Sequence, residues 1–349
     1  MFWEPLPHAA DFATSPRMSD SNTGGRRARP VLAVVDPIHP DGVAILAAAG
    51  EVVELFAPGA DAARGWADAD GLVIRTSPLP AERIAQCKRL KVIGKHGVGV
   101  DNIDIAAATE AGIVVFNTPH ANTLAVAEGA VALMLAVVKR LLAGHDLVAG
   151  GRFAERGPWR VGDLSGKTLG LVGGGRIAGE VARICRNGFG MHVLVYDPYA
   201  GEAQAAAMGA EKVHGLDAVL ARADIVSIHT PLTEETRNLL GRGRIAHMKR
   251  GAILVNTARG GIVDEAALAD ALAAGRLAGA GLDVFEEEPP PRDHRLFGLA
   301  NVVLSPHVAG ITEDSARKMA VGAAQGVVDV LAGRKPEAIL NSQVWEQRR

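Results

Sequence analysis

Short apolar runs alternate with stretches of helical periodicity from residue 30 onwards. Five runs rich in β-branched residues come first and predict buried strands, at residues 31–35, 52–55, 72–74, 92–93 and 113–116. The stretches between them predict helices at 42–49, 60–69, 81–89 and 105–111. Strands and helices that alternate in this way are typical of a parallel sheet covered on both faces.

A second series of the same kind follows a long apolar helix, predicted over residues 123–144, and a glycine-containing loop at 150–166. Its strands are predicted at 169–172, 193–196, 225–228, 253–256, 279–283 and 302–304. A last helix, predicted at 312–332, follows the second sheet, and we expect it to pack back on the first. The predicted fold class is therefore α/β, with two Rossmann-like or flavodoxin-like, doubly wound parallel-sheet domains and an active-site cleft between them.

The expected domain bounds follow from this order of elements. Residues 1–29 lack apolar periodicity and are expected to form a mobile N-terminal tail. Residues 30–123 and 310–349 are expected to form one discontinuous domain, and residues 124–309 the other. The apolar stretch after residue 124 is interrupted by Glu128 and is too short to span a bilayer, so we expect no membrane partner.

Composition and charge narrow the class of protein. The 37 basic and 39 acidic side chains give a net charge of −2, which carries no sign of a nucleic-acid partner. Cys87 and Cys185 lie far apart and are expected to be reduced thiols, which favours a cytoplasmic protein. The eleven histidines show no metal-ligand spacing, so no metal is expected.

Residues 173–179 form a glycine-rich turn between a predicted strand and a predicted helix. The turn matches the dinucleotide fingerprint G-x-G-x-x-A, with Gly173 for the tight turn, Gly175 for close approach to the pyrophosphate, and Ala178 for helix–strand packing. The helix that starts near Arg176 and Ile177 would direct its free N–H groups at the phosphates. Such a turn is a weak signal alone, because many glycine-rich turns bind nothing.

The ends of the following strands strengthen the cofactor interpretation. Asp197 ends the next strand about 20 residues after Gly175, where a carboxylate accepts hydrogen bonds from the ribose hydroxyls and repels a 2′-phosphate. NAD is therefore favoured over NADP, and the alternative is an exposed turn aspartate. Strand ends line ligands in open α/β sheets, so the nicotinamide side is expected to include His229, Thr230, Pro231, Thr257, Ala258, Arg259, Asp283, His307 and Gly310.

Three reactive side chains stand in distinctive contexts in the second half of the chain: Arg259, Glu288 and His307. An arginine binds a carboxylate through two parallel hydrogen bonds. A histidine transfers a proton near neutral pH, and a neighbouring glutamate orients its ring. Beside a dinucleotide site, this set indicates hydride transfer to or from a 2-hydroxy acid.

These motifs, in this order, resemble the D-isomer-specific 2-hydroxyacid dehydrogenase family. The resembling segments are 173–179, 195–198, 229–240, 251–261, 281–289 and 305–310, together with 97–104, 117–119 and 125–128. The resemblance spans residues 30–345 and is to short phosphoglycerate dehydrogenase-like or hydroxypyruvate reductase-like members. It implies an NAD-binding Rossmann domain at 124–309, a substrate domain in the rest, and a homodimer formed through residues 124–150.

The resemblance also implies residue roles. Arg259 would bind the substrate carboxylate and polarise the 2-oxo group, and His307 would be the acid/base oriented by Glu288. Backbone N–H groups of the loop Gly97, Val98 and Gly99 would hold the other side of the carboxylate.

The substrate is the least determined feature. Arg75, with Lys95 and His96 as added positive charge, favours hydroxypyruvate or the pair 3-phosphoglycerate/phosphohydroxypyruvate; otherwise Lys95 and His96 point to solvent. Glyoxylate or another 2-oxo acid is an alternative substrate. The chain departs from the family pattern at Lys95, His96, His120 and Gly129, which leaves specificity open. An NAD-sensing corepressor, which shares this fold, is the alternative of another class.

Overall fold

The computed structural model describes residues 29–347, so the tail expected before the first strand lies outside the described residues, apart from Arg29. Two parallel sheets, of five and seven strands, confirm the predicted fold class. No helix in this described part is long and apolar enough to cross a membrane.

The first sheet has the strand order β2-β1-β3-β4-β5, all parallel. This is the flavodoxin-like order, in which the direction of strand addition switches between β1 and β3. All residues of β1, β3, β4 and β5 are buried, as the apolar runs predict. The elements are β1 Val31–Val34, α1 Pro40–Ala49, β2 Glu51–Glu54, α2 Ala62–Asp68, β3 Gly71–Ile74, α3 Ala81–Gln86, β4 Val92–Lys95, α4 Ile105–Glu110 and β5 Val114–Phe116.

The second sheet has the order β12-β11-β10-β9-β6-β7-β8, again all parallel. Strands β7 and β8 lie on one side of β6, and β9 to β12 lie on the other. Ligands are therefore expected at this switch point, at the carboxyl ends of β6 and β9. The elements that lead to and build it are α5 Thr123–Val138, α6 Leu141–Ala149, β6 Thr168–Val172, α7 Arg176–Phe189, β7 His192–Tyr196, α8 Glu202–Ala207, β8 Glu211–Lys212, α9 Leu216–Arg222, β9 Ile225–Ile228, α10 Arg242–His247, β10 Ile253–Asn256, α11 Glu265–Ala273, β11 Gly279–Leu282 and β12 Val302–Leu304.

The helix predicted over residues 123–144 is two helices, so that prediction is wrong. It breaks between α5 and α6, where Arg140 takes a left-handed backbone conformation with φ of 49°. Nothing in the local sequence resembles a helix stop, because no glycine or proline stands there. The Arg140 guanidinium lies over the Trp159 ring at 4.1 Å, a cation–π contact that ties the break to the loop that follows.

The C-terminal helices, α12 Glu313–Leu331 and α13 Ser342–Glu346, return to the first sheet. Glycines on that sheet let α12 approach closely: a Cβ on Gly94 would lie 2.9 Å from Val327. Leu32 and Val34 of β1 share one apolar cluster with Val327 and its neighbours. The first sheet is therefore covered by residues from both ends of the described chain.

Candidate active site

The glycine-rich turn lies at the carboxyl end of β6 and opens into α7. Gly173 has φ of 99°, and a Cβ there would lie 2.7 Å from the carbonyl oxygen of His229, so only glycine fits. Gly175 is the N-cap of α7, which has no side-chain cap. A Cβ on Gly175 would meet nothing within 4 Å. The free N–H groups of α7 from Arg176 onwards therefore face open space, an arrangement that fits a pyrophosphate.

Asp197 follows β7 and lies beside this turn. Its carboxylate accepts hydrogen bonds from the N–H of Gly174 at 2.7 Å, of Tyr199 at 2.8 Å and of Ala200 at 3.1 Å. A carboxylate has about four acceptor positions, so one is left for a ligand hydroxyl. Asp197 thus stabilises the glycine-rich turn whether or not a cofactor is bound.

His229, at the end of β9, is held as a neutral ring. Burial lowers the pKa of His229 to about 4, and its Nε2 lies 2.9 Å from the Ser227 hydroxyl. It therefore contributes its backbone to the Gly173 contact and no positive charge to the site. Thr230 and Pro231 continue from it. Within residues 29–347, the buried Oγ1 of Thr257, which directly follows β10, has no hydrogen-bond partner.

Arg259 reaches from the second sheet to the first. Its Nε donates to Oδ2 of Asp101 at 2.6 Å, and its Nη1 donates to the Ala258 carbonyl at 2.6 Å. Asn256 fixes the turn beneath it, because its amide accepts from Ala258 N–H and donates to the Arg259 carbonyl. Nη2 lies against the backbone of Gly99, where a Cβ would come within 1.4 Å. The guanidinium thus spans the gap between the two sheets.

His307 and Glu288 form a direct pair. Nδ1 of His307 lies 2.7 Å from Oε2 of Glu288, while Oε1 of Glu288 accepts from Phe285 N–H at 3.0 Å. His307 has φ of 55°, a left-handed conformation that a non-glycine residue adopts only when its surroundings hold it. Its side chain is 46% exposed, so the other ring nitrogen, Nε2, is free to meet a substrate.

Asp283 holds the loop that carries His307. It is 1% exposed, and its two carboxylate oxygens accept from the N–H groups of Val308 and Ala309, each at 2.9 Å. Gly310 follows in the same loop, where a Cβ would lie 2.8 Å from the Asn122 amide. Asp283 was expected beside the nicotinamide, but the contacts it makes here are with the His307 loop.

Comparisons with known proteins agree with this arrangement. Residues 131–309 match the family model described as the D-isomer specific 2-hydroxyacid dehydrogenase, NAD binding domain. A glyoxylate reductase from Korarchaeum cryptofilum is 41% identical over 291 residues, which are 80% of this chain and 85% of that protein. The chain belongs to the D-isomer-specific 2-hydroxyacid dehydrogenase family. The sequence-based assignment to this family and the prediction of an NAD-binding domain are confirmed.

Other members of the family extend the comparison. A D-3-phosphoglycerate dehydrogenase from Methanocaldococcus jannaschii is 41% identical over 310 residues, 88% of this chain and 59% of that protein. The chain spans about half to three-fifths of the length of the first curated relatives it matches. The crystal structure of an NADPH-dependent glyoxylate/hydroxypyruvate reductase from Sinorhizobium meliloti, in complex with NADP and malonate, has 29% identity and a TM-score of 0.79, and covers 90% of this chain and 97% of its own.

In this member of the family, Lys95 and His96 are buried beneath the cleft, and the alternative that they point to solvent is wrong. Nζ of Lys95 donates to the Arg75 carbonyl and, at 2.7 Å, to Oδ1 of Asn102. Burial, followed by repulsion from Arg259, lowers the pKa of Lys95 to about 8. Burial and the nearby Arg75 lower the pKa of His96 to about 4. The expectation that His96 adds positive potential is therefore wrong, since its ring is neutral at pH 7.

The dehydrogenase fold also brings in acidic residues that the sequence reasoning missed. Asp36 accepts from the backbone N–H groups of Arg75, Thr76 and Ser77 and from the Ser77 hydroxyl. Burial alone would raise the pKa of Asp36, but these hydrogen bonds outweigh burial and lower it. Asp36 is the second residue after β1, so its position at a strand end could have marked it as a site residue. No sequence pattern pointed to Asp101 as the partner of Arg259.

The loop 97–99 presents backbone donors to the cleft. Gly97 has φ of 119°, and its N–H donates to the Thr118 hydroxyl at 2.9 Å. The N–H groups of Val98 and Gly99 have no acceptor within the part of the chain that the structure describes. The loop therefore has two free donors close to the Arg259 guanidinium, and both kinds of group attract a carboxylate.

Proposed function

We propose that this chain is an NAD-dependent oxidoreductase that transfers a hydride between the nicotinamide and carbon 2 of a small D-2-hydroxy acid or the matching 2-oxo acid. The observation that carries the proposal is the His307–Glu288 pair at 2.7 Å, on the same sheet as Arg259 and the glycine-rich turn. A proton carrier, a carboxylate anchor and a dinucleotide site are the three parts that this reaction needs.

Arg259 is proposed to bind the substrate carboxylate and to polarise the 2-oxo group. Its Nη2 lies against Gly99, and the N–H groups of Val98 and Gly99 have no acceptor among the described residues. A carboxylate there would be held from both sides, with charge-assisted hydrogen bonds from the arginine. The partial negative charge that develops on the 2-oxo oxygen during reduction would be stabilised by the same guanidinium.

His307 is proposed to be the acid/base. Because Nδ1 donates to Glu288, Nε2 is the atom that gives a proton to the carbonyl oxygen in reduction, or takes one from the hydroxyl in oxidation. Bound NAD supplies or accepts the hydride. Glu288 fixes the ring and stabilises the imidazolium that forms when the proton is taken up. Asp283 is proposed to hold the His307 loop.

The cofactor is proposed to be NAD, with its pyrophosphate at the N-terminus of α7 and its adenosine ribose at Asp197. The open space above Gly175 and the uncapped helix support this placement. The residues proposed to contact the cofactor are Gly173, Gly175, Arg176, Ile177, Asp197, Thr230, Pro231, Thr257, Ala258, Arg259, His307 and Gly310, with the backbone of His229.

The Asp197→Asn substitution should lower the preference for NADH over NADPH. The carboxylate would repel a 2′-phosphate, and removing its charge should change the ratio of the two kcat/KM values by about tenfold or more. The single oxygen of asparagine can accept from Gly174 N–H or from the N–H groups of Tyr199 and Ala200, so we also expect a lower thermal midpoint. The measurement is steady-state kinetics with both cofactors. An unchanged ratio would mean that Asp197 does not face the ribose.

The substrate is proposed to be hydroxypyruvate or the pair 3-phosphoglycerate/phosphohydroxypyruvate, bound between Arg259 and the loop 97–99 with Arg75 toward its distal end. Support comes from the basic side chains of Arg75 and Lys95, which lie near enough for Arg75 to help lower the pKa of Lys95, and from the relatives named for these substrates. Glyoxylate is the alternative substrate, because the relative from Korarchaeum cryptofilum is named a glyoxylate reductase.

A panel of 2-oxo acids assayed with NADH and NADPH tests the function. We expect NADH oxidation with hydroxypyruvate or phosphohydroxypyruvate, and weaker turnover of a branched apolar 2-oxo acid. Preference for the branched acid would contradict the substrate proposal while keeping the reaction class. No turnover of any 2-oxo acid, with NADH still bound, would favour an NAD-sensing binding protein.

We also propose two domains, residues 30–123 with 310–349 for the substrate and 124–309 for NAD, and a homodimer formed through residues 124–150. The dimer proposal is supported by exposed apolar side chains in and just after that region, such as Leu141 at 61% and Val148 at 56%. Sedimentation equilibrium measures the mass in solution, and a monomer at all concentrations would contradict the dimer.

A further inference from the structure

A second glutamate–histidine pair lies behind the His307–Glu288 pair. Oε2 of Glu265, the first residue of α11, is 2.8 Å from Nε2 of His294. Both side chains are largely buried, at 10% and 15% exposure. Nδ1 of His294 accepts from Leu296 N–H, which leaves Nε2 as the atom that carries the proton toward Glu265. The pair is thus a buried, directed contact between α11 and the loop before β12.

The two pairs are joined through one stretch of backbone. Oε1 of Glu265 accepts from Glu286 N–H at 2.6 Å, and Oε1 of Glu288 accepts from the preceding N–H, that of Phe285, at 3.0 Å. Consecutive N–H groups are therefore held by two different carboxylates. The remaining oxygen of Glu288 meets His307, and the remaining oxygen of Glu265 meets His294.

The same peptide is pressed against the Arg259 segment. A Cβ on Gly260 would lie 1.7 Å from the Phe285 carbonyl oxygen and 2.5 Å from Glu286 N. The ring of Phe285 stacks edge-on against His294 with centroids 6.0 Å apart. The 285–286 peptide is therefore closely packed against the Arg259 segment, and the Phe285 ring against His294.

We propose that Glu265 and His294 are positioning residues that hold the 285–288 turn so that Glu288 meets Nδ1 of His307. The expected effect on catalysis rests on the proposed function, whereas the expected effect on the position of Glu288 does not. Besides His294, the charged groups around Glu265 are Glu286 in the turn and, on or beside α11, Asp264, Asp270 and Arg295. Two hydrogen bonds compensate the buried carboxylate, one from Glu286 N–H and one from His294.

The test compares Glu265→Ala with Glu265→Gln and with Asp270→Ala in the full chain. Alanine removes the acceptor for both Glu286 N–H and His294 Nε2–H, whereas glutamine, with its oxygen on Glu286 N–H, keeps that acceptor and loses only the one for His294. Asp270 is a matched control, because it lies on the same helix but pairs with Arg242 and Arg295. Nitrogen-15 NMR of the His307 ring reports which nitrogen carries the proton, at a pH where the ring is neutral. Steady-state kinetics report kcat and the KM for NADH.

In the wild type, in Glu265→Gln and in Asp270→Ala, we expect the Nδ1-protonated tautomer of His307. In Glu265→Ala we expect a mixture of tautomers and a kcat lowered by about tenfold, the effect of losing one hydrogen bond to a charged group, with the KM for NADH unchanged. If Glu265→Ala does not fold, His294→Phe should show the same changes to a smaller degree. In that variant the Glu265 carboxylate loses the His294 donor and keeps Glu286 N–H.

A single His307 tautomer in a folded Glu265→Ala protein would overturn the inference. So would equal losses of kcat in Glu265→Ala and Glu265→Gln with the tautomer unchanged, since that would be a purely structural effect. If the wild type reduces no 2-oxo acid, the proposed function fails, and the tautomer comparison still decides whether Glu265 positions Glu288.

Discussion

The His307→Gln substitution should lower kcat for 2-oxo acid reduction by about 10²–10⁴-fold, the contribution typical of one acid/base group. The loss is expected in kcat because the carbonyl oxygen would gain negative charge without a proton donor. Binding of NADH should change less than kcat, because His307 is proposed to contact only the nicotinamide end of the cofactor, and the glycine-rich turn and Asp197 do not touch it. Rapid-mixing kinetics of NADH oxidation, together with NADH fluorescence titration, measure the two effects separately.

A surface pair provides the control for this experiment. His214 faces Glu202 at 3.3 Å, but both side chains are exposed, at 80% and 71%. The His214→Gln substitution therefore repeats the chemical change in a histidine–glutamate pair outside the cleft, and it should leave kcat unchanged. If His307→Gln keeps nearly full kcat, a different group supplies the proton, and the proposed role of His307 is lost.

The Gly99→Ala substitution should lower kcat/KM by about 10²-fold, the effect of misplacing a catalytic group by roughly 1 Å. The new methyl group would lie 1.4 Å from Nη2 of Arg259, so the guanidinium has to move. The obstacle is the end of a flexible side chain and not backbone, and Gly99 does not have a positive φ. The fold should therefore tolerate the change, and the thermal midpoint should stay close to that of the wild type.

Gly243→Ala is the matched control, because a Cβ there meets nothing within 4 Å. It should alter neither kcat/KM nor the thermal midpoint by much. The comparison separates displacement of Arg259 from the general effect of replacing glycine. Unchanged kcat/KM in Gly99→Ala would show that the guanidinium does not rest against this loop during turnover.

Much of the fold follows from patterns that are local in the sequence. Buried parallel strands need continuous apolar runs, and all eleven predicted strands are present. One further strand, β8 Glu211–Lys212, was missed because it is a polar edge strand of two residues. The break at Arg140 was missed because no glycine or proline marks it, and Arg140 contacts Trp159, which lies 19 residues further along the chain.

The candidate site divides in the same way. Strand-end positions brought out Arg259 and His307, because open α/β sheets place ligands there, and sequence context brought out Glu288. The partners that hold these residues come from distant parts of the chain: Asp101 is 158 residues from Arg259. Burial of Lys95 and His96 also depends on the return of α12, since Nε2 of His96 lies 3.3 Å from the Ala316 carbonyl. No local pattern records such pairings.

The contact between Gly260 and the 285–286 peptide has a consequence for how new specificities could arise. It ties the segment that carries Arg259 to the turn that carries Glu288, so the reactive side chains form one structural unit on the seven-stranded sheet. The loops around Arg75 and Gly97 belong to the other sheet and meet that unit across the cleft. Grafting those loops from a relative with another substrate should therefore exchange selectivity while the proton-transfer chemistry is kept.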